Sequence, residues 1–260
     1  MELLIPDWRA PARVRAVSTT RTGGVSLGRF AASSGGGLNL GANGNDDPAA
    51  VRENRSRLAR RIDVEPRWTR QVHWTNTIRW TSSAPSGTVP EADSAWTTEP
   101  GVACAVTTAD CLPVLLTDSR GSVVAGIHAG WRGLAAGIIE RTMEAIQAEL
   151  PDTSGWMAWI GPAIGPSAFE VGRDVLDAFV ASDPDAESCF VPKAPDATGR
   201  AKWMADLPGL ARRRLGSVGV KQVHGGGLCT FGDSQRFYSH RRDGVTGRMA
   251  TLIWLVDERN

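Results

Sequence analysis

The 260-residue chain has no CxxC pair, and its four cysteines, Cys104, Cys111, Cys189 and Cys229, fall at irregular spacings. That scatter, in a chain of this length, excludes a disulfide framework as the expected organising device. An excess of one charge is also lacking, because 29 Lys and Arg against 28 Asp and Glu leave a formal +1. Electrostatics alone therefore gives no reason to expect a nucleic-acid or membrane-surface partner. No apolar run approaches membrane-spanning length. The opening MELLIPDWRAPARVRAV lacks the apolar core and small-residue cleavage site of a signal peptide. A reducing cytoplasm is the expected compartment. Internal repeats, heptads and an obvious linker are missing, so the expectation is one α/β domain over residues 1–260. Histidine is confined to His73, His128, His224 and His240, none of them in a His-x-His pair. A blue-copper centre alone takes two His and a Cys. Four histidines are too few for that centre together with a coupled copper cluster.

What is present centres on residues 107–133, TTADCLPVLLTDSRGSVVAGIHAGWRG. Leu112 to Thr117 is apolar and has Pro113 near its start, where a strand tolerates proline. Ser119-Arg120-Gly121 reads as a turn, Ser122 to Ile127 as a second strand, and a helical pattern begins after His128. A hairpin would set Cys111 beside His128 although 17 residues separate them. A thiolate and an imidazole are ligands that Zn²⁺ prefers. The plainer alternative is a buried thiol and a core histidine. Asp110 and the Gly-Trp-Arg-Gly after Ala129 weigh against it, because polar groups crowd both strand ends.

Elsewhere, Val14 to Val17 reads as a strand leading into STTRTGGVS at 18–26, a Gly-Gly loop with Arg21 that suits an anion. Asp47 and Pro48 fit the N-cap and first position of a helix bearing Val51, Leu58 and Ile62. The segment Arg70 to Trp74 alternates in strand fashion, which puts Gln71 and His73 on one face. Asp93 and Asp110 are expected at strand ends near the Cys/His pair, with Val102 to Thr107 a strand between them. Leu134, Ile138, Ile139, Ile146 and Leu150 give the helix after His128 an apolar face. Arg132 lies at its N-terminus, where a phosphate would bind; pairing with a carboxylate is the alternative role. Trp156 to Ile160 is a strand, followed by the rigid loop of Gly161 to Pro166 and by Glu170. Asp174 to Val180 and Asp206 to Leu215 are helices, and Ala181 to Arg200 is a surface excursion. Val218 to Val223 and Met249 to Val256 complete the strands, the last apolar enough to be central.

QVH at 71–73, ADCLPVLLTD at 109–118, GIHAGWRG at 126–133, IGPAIGPSAFEVG at 160–172 and SHRRDGVTGR at 239–248 together resemble the YfiH-like family. That family is also called the laccase-domain or polyphenol-oxidase family. STTRTGGVS at 18–26 and LNLGANGNDDP at 38–48 fit its N-terminal part. The resemblance implies a single-domain layered α/β sandwich with a mixed sheet, related to cysteine hydrolases. It also implies a metal site of His73, Cys111 and His128, with one tetrahedral position open as in catalytic zinc sites. Members look like enzymes that phosphorolyse adenosine, inosine and methylthioadenosine and deaminate adenosine. Two departures stand out: FAASSGGGLNLG is richer in Gly and Ser than is usual, and Ala163 occupies a position where many members have Cys.

The implied function is therefore a zinc-dependent purine nucleoside phosphorylase with adenosine deaminase activity, acting on purine nucleosides and phosphate. Arg132 and Arg21 are the phosphate candidates, followed by Arg241 and Arg242. Asp110, Glu170 and His240 are the acid/base candidates beside Cys111 and His128. The competing functions are a copper-dependent polyphenol oxidase with a single Cu in the same site, and a cysteine-type amidohydrolase with Cys111 activated by His128. Trp74 and Trp131, next to ligands, are candidates for base stacking. The sequence does not fix the oligomeric state.

Overall fold

A computed structural model describes residues 1–42, 44–85 and 87–257. Asn43, within the 38–48 motif, Ser86 and residues 258–260 lie outside the described residues. Two sheets stack face to face. One has five strands in the order Leu3–Leu4, Val14–Thr19, Met249–Leu255, Ala103–Thr108 and Pro66–Arg67. The other has six, in the order Gln222–Gly225, Met157–Ile160, Leu112–Thr117, Val124–Ala129, Ser94–Thr97 and Thr77–Arg79. Both sheets mix parallel and antiparallel pairs. This is the layered α/β sandwich with mixed sheets that the resemblance implies.

The alternation of side chains along each strand explains the layering. Leu112, Val114 and Leu116 pack in a core that includes Ile139, Met143 and Ile146 of the helix Ile138–Glu149 and Leu210 and Leu215 of the helix Leu207–Ser217. Leu115 points the other way, into a second core with Cys104, Ile253 and Leu255 of the five-stranded sheet. Ala250, Leu252 and Trp254, on the far face of that sheet, pack with Leu58 of the helix Pro48–Ile62. Strands buried on both faces read as near-continuous apolar runs, which is why these were visible in the sequence. A methyl added at Gly126 would meet Val106 at 3.2 Å, so glycine lets the two sheets approach closely there.

Several local expectations hold. Asp47 caps its helix by accepting from the Ala49 N–H at 2.9 Å. The hairpin forms with Pro113 opposite His128, and Met249–Leu255 is central in its sheet. Four expectations need correction. Residues 70–74 form no ladder strand: His73 has φ +60°, and Asp93 accepts the N–H groups of Val72, His73 and Trp74, so a carboxylate replaces a neighbouring strand. The helix after His128 is two helices, Trp131–Ala135 and Ile138–Glu149, because Gly137 at φ +91° breaks the chain direction. Residues 181–200 are more than an excursion, since Phe190–Lys193 joins a small sheet with Lys202–Ala205 and Glu170–Val171. The strand expected at 218–223 runs instead from Gln222 to Gly225. No helix among the described residues is long and apolar enough to cross a membrane.

Candidate metal centre

The chain crosses between the two sheets at one end of the sandwich, and two of these crossings carry ligands. Residues 109–111 carry the chain from Ala103–Thr108 into Leu112–Thr117, and residues 68–76 carry it from Pro66–Arg67 to Thr77–Arg79. Cys111 lies on the first crossing and His73 on the second. His128 lies near the end of Val124–Ala129, on the face of that strand turned to the other sheet. Their ligand atoms all lie within 4.8 Å of one another, and His73 Nε2 is 3.9 Å from Cys111 Sγ. The two rings meet edge to face, with centroids 4.7 Å apart.

The surrounding hydrogen bonds explain why three distant residues converge. The Asp93 carboxylate accepts from His128 Nδ1 at 2.8 Å as well as from the three N–H groups of residues 72–74. That bond leaves His128 Nε2 as the nitrogen for a metal, the arrangement typical of ligating histidines. Gln71 fastens the same segment. Its amide donates to the Thr107 carbonyl and accepts from the Thr107 N–H, both at 2.8 Å. Asp110, at φ +89°, turns the 109–111 crossing. Non-glycine residues at positive φ carry strain and recur at functional sites; here His73 and Asp110 both do.

Burial grades across the cluster: His128 is buried, Cys111 half-buried and His73 exposed. Burial pushes the Cys111 thiol up, but the neighbouring His128 and His73 rings outweigh it and hold the thiol at about 6. Burial pulls His128 down, while the Cys111 sulfur and the Asp93 carboxylate raise it to about 9. The metal-free pair is thus thiolate and imidazolium, and a metal would replace the proton. For Asp93 burial acts upward, and the bonds from His128 and residues 73 and 74 bring it below the ordinary carboxylate range. Tetrahedral Zn²⁺ sets its nitrogen and sulfur ligands on the order of 3.5 Å apart. The donor set fits such an ion after a small contraction of the cluster. Gly130 completes the wall, since a Cβ there would lie 3.2 Å from both Cys111 Sγ and His73 Cδ2.

Two cavities meet at the cluster. One, of about 290 Å³, is lined by Trp131, Phe169, Ile164 and Leu207 together with Arg132, Arg241 and His240. The other, of about 410 Å³, is lined by Arg55, Arg70 and Arg248. Arg132 stacks on Trp131 at 4.3 Å, and no carboxylate among the described residues pairs with it within 4 Å. Arg241 lies over Phe169 and donates to the Glu170 carbonyl. His240 donates from Nδ1 to the Gly244 carbonyl at 2.7 Å, which leaves Nε2 as its accepting nitrogen. Trp74 is exposed and lines neither cavity.

Four nominated residues take other roles. Arg21 spends its guanidinium on the carbonyls of Ser234 and Ala31 and on the face of Tyr238. Arg242 binds the carbonyls of Thr230, Phe231 and Phe237 and the Asp243 carboxylate. Arg242 is a staple between loops with every donor committed, whereas Arg21 keeps free donors but lines neither cavity. Glu170 is held by Lys193, lowers its own pKa through that contact, and lines neither cavity. Asp110 accepts from Thr230 Oγ1, Ser239 Oγ and the Arg241 N–H, so its oxygens brace the crossing. Arg55 and Arg248 were not anticipated as site residues. Neither has a local signal, because their placement depends on contacts with the distant Leu40.

The profile of one protein family, described as multi-copper polyphenol oxidoreductase laccase, matches residues 15–256. Purine nucleoside phosphorylase PA4543 of Pseudomonas aeruginosa is 52% identical over 98% of this chain and 98% of its own length. Purine nucleoside phosphorylase YfiH of Escherichia coli K12 is 44% identical over 98% and 99%. The crystal structure of Neisseria meningitidis protein NMB0706 superimposes with a TM-score of 0.88 at 43% identity, covering 99% of this chain and all of the other. Sequence and backbone thus agree from end to end, and the chain belongs to the laccase-like YfiH family.

Proposed function

We propose that this protein is a metal-dependent purine nucleoside phosphorylase, cleaving adenosine, inosine and methylthioadenosine, with deamination of adenosine as a second activity. The observation that carries this reading is the position of His73, Cys111 and His128 at the junction of two cavities, one aromatic and one basic. The relatives in Pseudomonas aeruginosa and Escherichia coli, both purine nucleoside phosphorylases by name, support the same reaction. A Zn²⁺ ion held by the three side chains would supply Lewis acidity with one position open to a reactant.

The chain's own residues supply the rest. The aromatic and aliphatic walls of the 290 Å³ cavity offer faces against which a purine stacks. Arg132 and Arg241, lying over Trp131 and Phe169, present N–H donors to the ring nitrogens or the ribose. His240 Nε2 holds or moves the proton that the departing purine requires. Asp93 keeps His128 in the ligating tautomer.

The test is to incubate purified, zinc-loaded protein with adenosine and phosphate and to follow adenine, inosine, hypoxanthine and ribose 1-phosphate. Phosphate-dependent adenine release is expected; a zinc-loaded protein that forms none of these products sinks the proposal. A second reading, oxidation of phenols by a single Cu, draws on the family description and on a two-His, one-Cys donor set that Cu also accepts. Elemental analysis of protein purified without added metal separates the two.

A further inference from the structure

We propose that the phosphate co-substrate docks between Arg55 and Arg248, in the 410 Å³ cavity, across the Cys/His cluster from the purine. This rests on the phosphorolytic reading above and adds the route by which the anion arrives. Three arginines line the cavity, and no Asp or Glu among the described residues does. Arg70 is already paired with Glu91. Arg55 and Arg248 have no carboxylate within ion-pair distance among the described residues. The charges acting on them are Glu65 for Arg55, and Cys111 and Asp110 for Arg248.

Both guanidinium groups are fixed by neutral acceptors. Arg55 donates from Nε and Nη2 to the Leu40 carbonyl, at 3.0 and 2.9 Å, and its Cζ lies over the Trp68 ring, 4.1 Å from the centroid. Arg248 donates from Nη1 to the carbonyls of Thr246 and Gly247, at 2.9 and 3.0 Å. Its own carbonyl accepts from the Leu40 N–H at 3.0 Å, so one residue, Leu40, ties both arginines in register. Gly41 leaves the space that the Arg248 stem fills, since a Cβ there would meet Arg248 Cγ at 2.6 Å. Carbonyl anchors orient a guanidinium without cancelling its charge. Each arginine has five N–H donors and spends two, leaving three for a ligand. Two desolvated cations without carboxylate partners are unfavourable until an anion joins them. Paired guanidinium forks match phosphate oxygens.

The arrangement suits the reaction. A phosphate oxygen attacks ribose C1′, the C1′–O bond forms and the C1′–N9 bond breaks. The electron pair goes to N9 and the proton carried by HPO₄²⁻ ends on the purine. The products are ribose 1-phosphate and free base.

The test uses the zinc-loaded full chain in two ways. Steady-state kinetics give separate KM values for phosphate and for inosine in the unmodified protein, R55Q, R248Q and R248K. R248Q and R55Q are expected to raise the phosphate KM by about tenfold or more, the loss of one charged hydrogen-bonding group. R248K is expected to recover part of it. Phenylglyoxal labelling of the unmodified protein, mapped by mass spectrometry with and without inorganic phosphate, requires no variant to fold. Phosphate is expected to protect Arg55 and Arg248. Protection at Arg132 and Arg241 instead, or an unchanged phosphate KM in folded R55Q and R248Q, overturns the assignment. If the unmodified protein lacks turnover while phosphate still protects Arg55 and Arg248, the anion site stands and the reaction assigned above falls.

Discussion

Asp93 Oδ1 lies 2.8 Å from His128 Nδ1, and the same oxygen accepts from the His73 backbone N–H at 2.9 Å. One buried carboxylate thus orients one ligand through its ring and another through its main chain. The His128 N–H also donates to the Asp93 carbonyl at 2.6 Å, which locks the two strands at that level.

Replacing this carboxylate should separate affinity from stability. Asp93→Asn keeps an acceptor but loses the charge, and metal affinity should fall by about 10–100-fold. Asp93→Ala also strands the N–H groups of Val72, His73 and Trp74 and should lose about 2–4 kcal/mol of folding stability. Chelator competition and denaturant melts read the two effects. Equal metal affinity in Asp93→Asn and the unmodified protein would show that Asp93 does not tune the site.

Gly130→Ala should do the opposite. The backbone there has φ −61° and ψ 155°, which alanine adopts readily, so the variant should match or exceed the parent by about 0.5–1 kcal/mol. The new methyl would press on Cys111 Sγ and His73 Cδ2, each 3.2 Å away, and should weaken metal binding by about tenfold. Retained affinity would mean that His73 moves aside without consequence.

The metal-free protein should carry a reactive thiol. Alkylation of Cys111 should titrate near 6, below the ordinary thiol range, and zinc should block it. The sign for stability follows from where the proton goes. Folding lowers the Cys111 pKa, so that group alone would add stability as pH rises. Folding raises the His128 pKa to about 9, and that group alone would lose stability as pH rises towards 9. The two slopes cancel because the proton released by one sits on the other. Metal-free stability should therefore be nearly flat between about pH 6 and 9. A steep acid or alkaline slope in denaturant midpoints within that window would contradict the ion pair.

Zinc should stabilise the fold through His73. At free zinc about 100 times its Kd the gain is about 2.7 kcal/mol, a rise in Tm of roughly 5 °C or more. His73→Gly relieves the positive φ while removing the ring, so its metal-free Tm should stay close to the parent's. Most of the zinc-induced rise should vanish. A full rise in His73→Gly would exclude His73 as a ligand.

The Cys111–His128 pairing was legible because a hairpin is a local object. Its register follows from a short turn and from strands whose apolar runs match on both faces. His73 came only through the resemblance. Its strand-like alternation was misleading, since Asp93 and Gln71 supply the bonds that a neighbouring strand would give. Arg21 and Arg242 looked like anion ligands because sequence shows neither how many donors a guanidinium has spent nor which cavity it reaches. Arg21 spends one on Ser234, 213 residues away. Glu170 likewise looked available until Lys193 folded back onto it.

By itself the sequence determined the apolar central strands, the hairpin, the capped helix after Asp47 and the inventory of metal-binding side chains, because periodicity, turn residues and donor chemistry act over a few positions. Tertiary structure decided which of those side chains share a centre, which arginines stay charged and uncommitted, and that the centre opens on two cavities of unlike character. Those outcomes depend on the crossings between the sheets and on hydrogen bonds between residues far apart in the chain, which local pattern does not encode.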